Sequence, residues 1–257
     1  METDRALQAL LASPKYRGVY SGAVERIYSE SLRRHGPKGA DKAARAELHR
    51  ITGAFLSPRE LKAGRALLER AKSGEGDVIA QALALHASSR ERLPDMAALY
   101  DRALPALGNP RRVLDLACGL NPLFLGAMGL TVRGIELQTD AARLVNDWAE
   151  ALRWDVRVEP GDLAEDAPLP EADATLLMKL LPLLEKQMIG GGRALLERVR
   201  SKKALVTFPT RTLSGRNVGM QTHYEASFEQ NLPADWTVVD KFALSNELCY
   251  TLERHVR

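Results

Sequence analysis

Cysteine is nearly absent from this 257-residue sequence, which contains only Cys118 and Cys249. The two residues stand far apart, and neither a CxxC pair nor a Cys/His spacing surrounds them. This scarcity excludes a disulfide framework and a cysteine-based zinc site. We therefore expect both thiols to be small buried side chains, and we expect no metal centre.

Long apolar runs and aromatic side chains are also scarce. The apolar stretch at 174–184 is interrupted by Lys179 and Pro182, and no run approaches the ~20 residues that cross a bilayer. The N-terminus carries acids early and lacks the apolar segment of a secretion signal. We expect a cytoplasmic monomer with no membrane partner. Aromatic residues are only 5% of the chain, which argues against modules that read single-stranded nucleic acid by stacking.

Charge is nearly balanced over the whole chain but unevenly distributed along it. The net charge is +3, yet residues 1–110 hold 18 Lys and Arg against 13 Asp and Glu, whereas residues 111–257 hold 18 against 20. A basic first part attached to a near-neutral second part favours a polyanionic partner. A solvated basic helical surface is the alternative explanation of the charge alone.

Up to residue 108 the apolar residues recur at helical spacing, as in Val24, Ile27 and Tyr28. Proline or glycine interrupts this pattern at Pro14 and at residues 35–37, 57–58 and 73–76. Ser57 and Glu60 have the spacing of a capping box at a helix N-terminus. We therefore predict an all-α N-terminal domain over residues 1–108.

From residue 109 onward the periodicity changes to that of an α/β domain. Short runs rich in Val, Leu and Ile alternate with amphipathic stretches, which predicts a parallel sheet with helices on both faces. The predicted parallel strands are residues 112–117, 131–137, 155–158, 174–178 and 204–208. Residues 237–244 and 247–252 follow as an antiparallel hairpin. We therefore predict, for residues 109–257, the seven-stranded class I (Rossmann-like) methyltransferase fold.

The turn after the first predicted strand is the expected ligand site, because ligands lie at the carboxyl ends of parallel strands near the switch point. There Asp115 nears the end of the strand, and Gly119 lets the backbone approach a ligand closely. The next strand brings Glu136, whose two oxygens match the two hydroxyls of a ribose. After the third strand, Asp162 can accept a hydrogen bond from an adenine amino group beside apolar Leu163. This order of residues indicates a site for S-adenosylmethionine.

Several short motifs occur in a fixed order along the chain. They are ASPKYR at 12–17, HRITGAF at 49–55, HASSRER at 86–92, RVLDLACGLNP at 112–122, KLLPLLE at 179–185 and FPTR at 208–211. In this combination the chain resembles the aminoglycoside-resistance 16S ribosomal RNA methyltransferases, which methylate N7 of guanine 1405 in helix 44. The resemblance implies that activity, S-adenosylmethionine as cofactor, and the 30S subunit with its 16S rRNA as partners.

The resemblance also implies the residues of the cofactor pocket. On the side of the helical domain they are Phe55, His86, Ala87, Ser88 and Arg92. The guanidinium of Arg92 would bind the methionine carboxylate, because its planar fork matches a carboxylate. The other implied pocket residues are Ala117, Gly119, Glu136, Asp162, Leu163, Met178 and Gln187. Met188 replaces Gln187 if the register shifts by one residue.

Guanine N7 carries a lone pair that is free near neutral pH, so its attack on a methyl group needs no general base. Catalysis would come mainly from holding N7, the methyl carbon and the sulfur in line. The segment after the fifth strand is basic and contains glycine, and we expect Arg211, Arg216 and Met220 to position the target nucleotide there. A plain surface loop is the alternative.

The basic helical domain is expected to dock onto rRNA, which proteins recognise mainly by shape and backbone. The candidate phosphate contacts are Lys15, Arg17, Arg50 and Arg59.

Three other functions remain open at this point. The first is a methyltransferase of the same fold that acts on another RNA or on a small molecule. The second is a ribosome-binding factor without turnover. The third is a nicotinamide oxidoreductase, which the missing GxGxxG motif disfavours.

Overall fold

The computed structural model describes residues 2–210 and 227–255. Its first part is helical. The helices before the sheet are α1 (Glu2–Leu11), α2 (Ser21–Ile51), α3 (Pro58–Lys72), α4 (Val78–Leu83), α5 (Ala87–Arg92) and α6 (Met96–Ala106). The helical character predicted for residues 1–108 is therefore confirmed.

Two local signals in this part act as the sequence predicts. Helix α2 is kinked where Gly36 takes φ 66 and ψ 175, directly before Pro37. A left-handed φ is accessible to glycine at little cost, and proline removes one helical donor. At the start of α3, the Glu60 amide donates to Oγ of Ser57 and the Ser57 amide donates to Oε2 of Glu60 at 2.7 Å. This confirms the capping box.

Within the described residues, seven strands form one sheet in the order β3-β2-β1-β4-β5-β7-β6. The strands are β1 (Arg112–Leu116), β2 (Thr131–Glu136), β3 (Val156–Pro160), β4 (Ala174–Met178), β5 (Lys203–Pro209), β6 (Trp236–Ala243) and β7 (Glu247–Arg254). The helices after β1 are α7 (Asn121–Ala127), α8 (Thr139–Leu152), α9 (Leu181–Gln187) and α10 (Gly191–Arg198). Strands β1 to β5 are parallel, and β7 pairs antiparallel with both β5 and β6. The predicted seven-stranded α/β architecture is confirmed.

Several predicted strand ends are wrong by one or two residues. The largest errors are two residues: β7, predicted to end at residue 252, continues to Arg254. β3, predicted at 155–158, also ends two residues later, because Glu159 and Pro160 pair with Ile135 and Glu136 and continue the strand. Glutamate and proline have low strand propensity, so the sequence pattern does not predict Glu159 and Pro160 as part of the strand. The first strand ends at Leu116, one residue early, because Ala117 has φ 53 and leaves the extended region.

In the part of the chain that the structure describes, buried apolar residues fall into three clusters. The first cluster lies between helices α3–α6 and one face of the sheet, and it includes Leu61, Leu99 and Trp148. The second covers the other face, and the third lies within the first fifty residues, around Leu10 and Ile27. The later helices therefore share a core with the sheet, whereas α1 and α2 have a cluster of their own. The domain boundary at residue 108 stays a prediction.

Candidate active site

The turn after β1 is hydrogen-bonded to the end of β2. The amide of Ala117 donates to the Ile135 carbonyl at 2.9 Å, and the amide of Gly119 donates to Oε2 of Glu136 at 2.8 Å. Gly119 has φ 51, and a Cβ built there would lie 2.9 Å from Cε1 of His86. This position therefore requires glycine both for its backbone conformation and for its close contact with the His86 ring.

Both oxygens of Glu136 are held by the backbone. Oε1 accepts from the Gln138 amide at 2.9 Å, while Oε2 accepts from Gly119. Burial raises the pKa of Glu136, and these amide donors oppose that effect. Each carboxylate oxygen has a second lone pair, so the group can still accept from two neighbouring hydroxyls.

Asp115 is fixed by a chain of side chains that the sequence reasoning did not identify. Nδ2 of Asn121 donates to Oδ2 of Asp115 at 2.7 Å, and the Tyr100 hydroxyl donates to Oδ1 of Asn121 at 2.8 Å. The hydroxyl of Tyr100 also lies 3.6 Å from Sδ of Met178. Burial raises the pKa of Asp115 to about 7, against the lowering effects of Asn121 and Arg92. The tyrosine fixes the orientation of the amide, and the amide fixes the carboxylate.

Arg92 is buried and bound to a carboxylate of the protein itself. Its Nε and Nη2 lie 2.8 and 3.2 Å from the two oxygens of Glu247 at the start of β7. Nζ of Lys179 lies 3.4 Å from the same carboxylate and 2.8 Å from Oε2 of Glu91. Burial, the largest single effect, lowers the pKa of Arg92, but Glu247, Tyr100 and Asp115 together raise it, so the net shift is upward. Two of its donor atoms are therefore engaged by Glu247, and the assignment of Arg92 to the methionine carboxylate stays a prediction.

His86 lies over the glycine turn as a neutral ring. Burial, followed by the nearby Arg92 charge, lowers the pKa of His86 to about 4. Its Nδ1 is buried and has no hydrogen-bond partner within residues 4–210 and 227–255. A buried polar atom left unpaired is costly, so this nitrogen is suited to a hydrogen bond with a bound molecule.

A second group of predicted residues meets at the end of β3. Asp162 accepts from the Ala164 amide at 2.9 Å and from Nε of Arg26 at 2.8 Å. Nη2 of Arg26 also lies 3.4 Å from Oε1 of Gln187, and Leu163 is buried beside Asp162. Arg26 belongs to α2 and was missed by the sequence reasoning, because nothing local marks an arginine that contacts a loop 136 residues away.

The remaining predicted cofactor residues lie at the edges of these two groups. Ala87 and Ser88 begin α5 directly after His86 and are half-buried. Phe55 precedes Leu56, whose amide and carbonyl both bond to the side chain of Gln138 at 2.8 and 2.7 Å. This contact anchors the Phe55 backbone close to the end of β2.

The predicted RNA contacts do not all lie together. Lys15 and Arg17 line a cleft of about 700 Å³ between the first helices and α8, along with Arg65 and Arg143, which the sequence reasoning missed. Phe55 also lines this cleft. Arg50 and Arg59 are exposed and do not line it, and Arg50 is paired with Glu47. Arg211, Arg216 and Met220 lie outside the described residues.

Two features are absent from the described ranges. Within them, no group of three His, Cys, Asp or Glu side chains is arranged to hold a metal ion. No helix there combines the length and the apolar character needed to cross a membrane.

Similarity to known proteins places this site in a family. The ribosomal RNA methyltransferase (FmrO) family model matches residues 12–251. The chain belongs to this family. A 16S rRNA (guanine(1405)-N(7))-methyltransferase of Serratia marcescens is 40% identical over 257 residues, covering 99% of this chain and 100% of the relative. A protein of the same name from Frankia casuarinae is 37% identical, covering 98% and 93% of the two chains.

Solved structures of the family have the same fold. The 16S rRNA methyltransferase RmtF, crystallised with S-adenosyl-L-homocysteine, is 48% identical with a TM-score of 0.90, covering 99% of this chain and 98% of that one. The 16S rRNA methylase RmtB is 37% identical with a TM-score of 0.88, covering 98% of both chains. The resemblance drawn from the sequence motifs and the predicted fold class are both confirmed.

Proposed function

We propose that this family member transfers the methyl group of S-adenosylmethionine to N7 of guanine 1405 in 16S rRNA of the 30S subunit, and so gives aminoglycoside resistance. A methylated, positively charged guanine would repel a cationic drug. The observation that carries the proposal is full-length similarity to relatives of that name, joined to a glycine turn that is hydrogen-bonded to Glu136.

The residues present fit S-adenosylmethionine, which supplies the methyl group when bound. Glu136 would accept from the ribose hydroxyls, and Asp162 would accept from the adenine amino group. Asp115 would accept from the methionine ammonium, and the unpaired Nδ1 of His86 lies at the same turn. Arg92 and Lys179 also lie at this end of the site, where Glu247 and Glu91 balance their charges.

Chemistry at N7 needs orientation rather than proton removal. The protein's task would be to hold the lone pair in line with the methyl carbon and sulfur, an effect that supplies several kcal/mol. We assign this task to Arg211, Arg216 and Met220, outside the described residues. Changing each in turn should lower kcat for methylation and leave the affinity for S-adenosylhomocysteine unchanged.

We assign rRNA docking to basic side chains of the helical part. Lys15 and Arg17 share their cleft with Arg65 and Arg143, and Asp140, which pairs with Arg143, lines it as well, so four cations and one acid face one groove. Phosphate neutralisation by such cations makes binding depend steeply on salt. Replacing Lys15 and Arg17 together should reduce the slope of log affinity against log salt by about 2. Arg50 should matter less, because Glu47 already neutralises it.

The test is transfer of labelled methyl groups by the purified full chain, with intact 30S subunits, free 16S rRNA and 50S subunits as acceptors. We expect label only in the 30S sample and none with Glu136→Ala. Transfer to free RNA or to metabolites would favour the alternative substrates. Binding to 30S subunits without any transfer would identify a non-catalytic ribosome-binding factor. Sedimentation of the same sample tests the predicted monomer.

A further inference from the structure

The chain around the start of α2 contacts two loops at the cofactor site, the one directly after Glu136 and the one that carries Asp162. We name residues 18–26 the N-terminal clasp. Its Tyr20 amide donates to the Leu137 carbonyl at 2.9 Å, and the Thr139 amide donates to the Gly18 carbonyl at 2.9 Å. Val19 forms an antiparallel bridge with Gln138 between these bonds. The clasp therefore meets the chain directly after β2.

The same clasp reaches the loop after β3. A Cβ built on Gly22 would lie 2.5 Å from Cε1 of Tyr20 and 2.8 Å from Oε1 of Glu165, so the first turn of α2 lies beside the Glu165 side chain of this loop. One turn further along, Nε of Arg26 lies 2.8 Å from Oδ2 of Asp162. The side chains of Arg26 and Asp162 are 18% and 5% exposed, so water screens this pair weakly.

Arg26 is held in place from several sides. Its Nη1 donates to Oε1 of Glu30 at 3.0 Å, and its Nη2 lies 3.4 Å from Oε1 of Gln187. An arginine fork fixed in this way presents Nε to Asp162 in one direction only. With Oδ1 taken by the Ala164 amide, both oxygens of Asp162 are fixed by named donors.

We propose that Arg26 is a positioning residue that aims the Asp162 carboxylate at the 6-amino group of the cofactor's adenine. The inference rests on the proposed function in one respect, namely that Asp162 faces adenine. It makes adenine recognition depend on the N-terminal clasp, so that the helical part takes part in choosing the cofactor as well as in binding RNA.

The chemistry predicts a specific discrimination. An ionised carboxylate only accepts hydrogen bonds, so it matches the amino group of adenine. Hypoxanthine has an oxygen at that place, which would face the carboxylate with no proton between them. A site built around a buried acceptor rejects such an analogue strongly, because its polar group is left unpaired. Without Arg26 only the Ala164 amide holds the carboxylate, so Oδ2 loses its fixed direction and the discrimination should fall.

The test compares binding of S-adenosylhomocysteine and S-inosylhomocysteine to the full chain by calorimetry. For Arg26→Met we expect affinity for the adenine compound to fall about tenfold or more, while affinity for the hypoxanthine compound changes less than about threefold. The ratio of interest is the affinity for the adenine compound divided by that for the hypoxanthine compound. Arg26→Lys, which keeps the charge but loses the fork, should restore part of this ratio. Arg45→Met is the matched control, because Arg45 pairs with Asp41 on the surface of the same helix.

Each outcome decides a separate point. Equal losses for both ligands in Arg26→Met would overturn the inference, because a merely structural role weakens both alike. The variant Asp162→Asn separates the inference from the proposed function. If Asp162→Asn lowers the ratio and Arg26→Met does not, the Arg26 inference alone fails. If Asp162→Asn leaves the ratio unchanged, the adenine assignment of Asp162 fails with it.

Discussion

The two ends of the cofactor site are built from different parts of the molecule. At the methionine end, Arg92 and Glu247 form a buried ion pair, and the half-buried Lys179 pairs with both Glu247 and Glu91. At the adenine end, Asp162 depends on Arg26, which arrives from α2. Both ends bring acids to the same edge of the sheet, but Glu247 lies on strand β7, whereas Asp162 lies in the loop after β3.

Because of this difference, we expect substitutions at the two ends to affect different properties, namely the stability of the fold at one end and cofactor recognition at the other. A buried ion pair contributes little by itself, because removing water from both charges is expensive, but losing one partner leaves an unpaired buried charge. The methionine end should therefore affect folding as well as binding. The adenine end should affect mainly which cofactor binds.

Glu247→Ala should have the largest effect on folding. It leaves the buried Arg92 guanidinium without its carboxylate, and we expect a loss of about 3–5 kcal/mol in the free energy of unfolding, measured by urea denaturation. Glu253→Ala on the same strand is the control, because its partner Lys203 is partly exposed and such pairs contribute about 0–1 kcal/mol. If Glu247→Ala and Glu253→Ala were equally stable, the Arg92–Glu247 pair would contribute no more to folding than a partly exposed pair, and the difference drawn between the two ends would be wrong.

The second prediction concerns pH at the glycine turn. Asp115, with a pKa raised from 3.8 to about 7, keeps its proton in the native state when the unfolded chain has lost it. Its contribution to stability therefore falls as pH rises from about 4 to 7. His86, with a pKa lowered from 6.5 to about 4, works in the opposite direction, and stability rises with pH between about 4 and 6.5.

Asp115→Asn should remove the effect of Asp115 on the pH dependence of stability and leave that of His86. The slope of unfolding free energy against pH, from urea melts between about pH 4.5 and 6.5, should become more positive by up to ~1.4 kcal/mol per unit. Asp155→Asn is the control, because the Thr131 and Arg133 side chains lower the pKa of exposed Asp155 and move its titration below this range. An unchanged slope in Asp115→Asn would show that this carboxyl is ionised throughout.

Gly119→Ala should lower the free energy of unfolding by less than Glu247→Ala does, but it should abolish cofactor binding. A left-handed φ costs an L-residue roughly 1–2 kcal/mol, and the new Cβ would push on the His86 ring. Gly129→Ala separates the two effects, since Gly129 has φ 80 and no atom within 4 Å of the added Cβ. We expect similar strain in both variants and loss of S-adenosylhomocysteine binding in Gly119→Ala alone. If Gly119→Ala bound S-adenosylhomocysteine with full affinity, the glycine turn would not be part of the cofactor site.

Gln187→Ala should have the smallest effect. Its contact with Arg26 is long, at 3.4 Å, and the side chain is half-buried. We expect affinity for S-adenosylhomocysteine to fall by less than about threefold in calorimetry. A tenfold loss would mean that Gln187 contacts the cofactor directly and that Arg26 acts through it as well.

The sequence predicts the parts of the site that depend on topology. Gly119, Glu136 and Asp162 stand at or just after the ends of parallel strands, and such ends share one edge of a sheet, so their proximity follows from local patterns. Likewise the kink of α2 follows from Gly36 and Pro37.

The residues that act across the fold could not be read from local patterns. Arg26 and Asp162 are 136 positions apart, and Arg92 and Glu247 are 155 apart. Periodicity and motifs describe neighbours along the chain, whereas these pairs form only when the helical part packs on the sheet. Glu247 offered one weak signal, since a lone acid at the start of an apolar strand needs a buried partner.

The most direct test of the account is the identity of the methylated nucleotide in cells. The full chain and its Glu136→Ala variant would be expressed in aminoglycoside-sensitive bacteria, and 16S rRNA would be mapped by mass spectrometry of its fragments. The account predicts 7-methylguanine at position 1405, together with resistance, for the unaltered chain and neither for the variant. An unmodified guanine 1405 in drug-resistant cells, or methylation at another nucleotide, would contradict it.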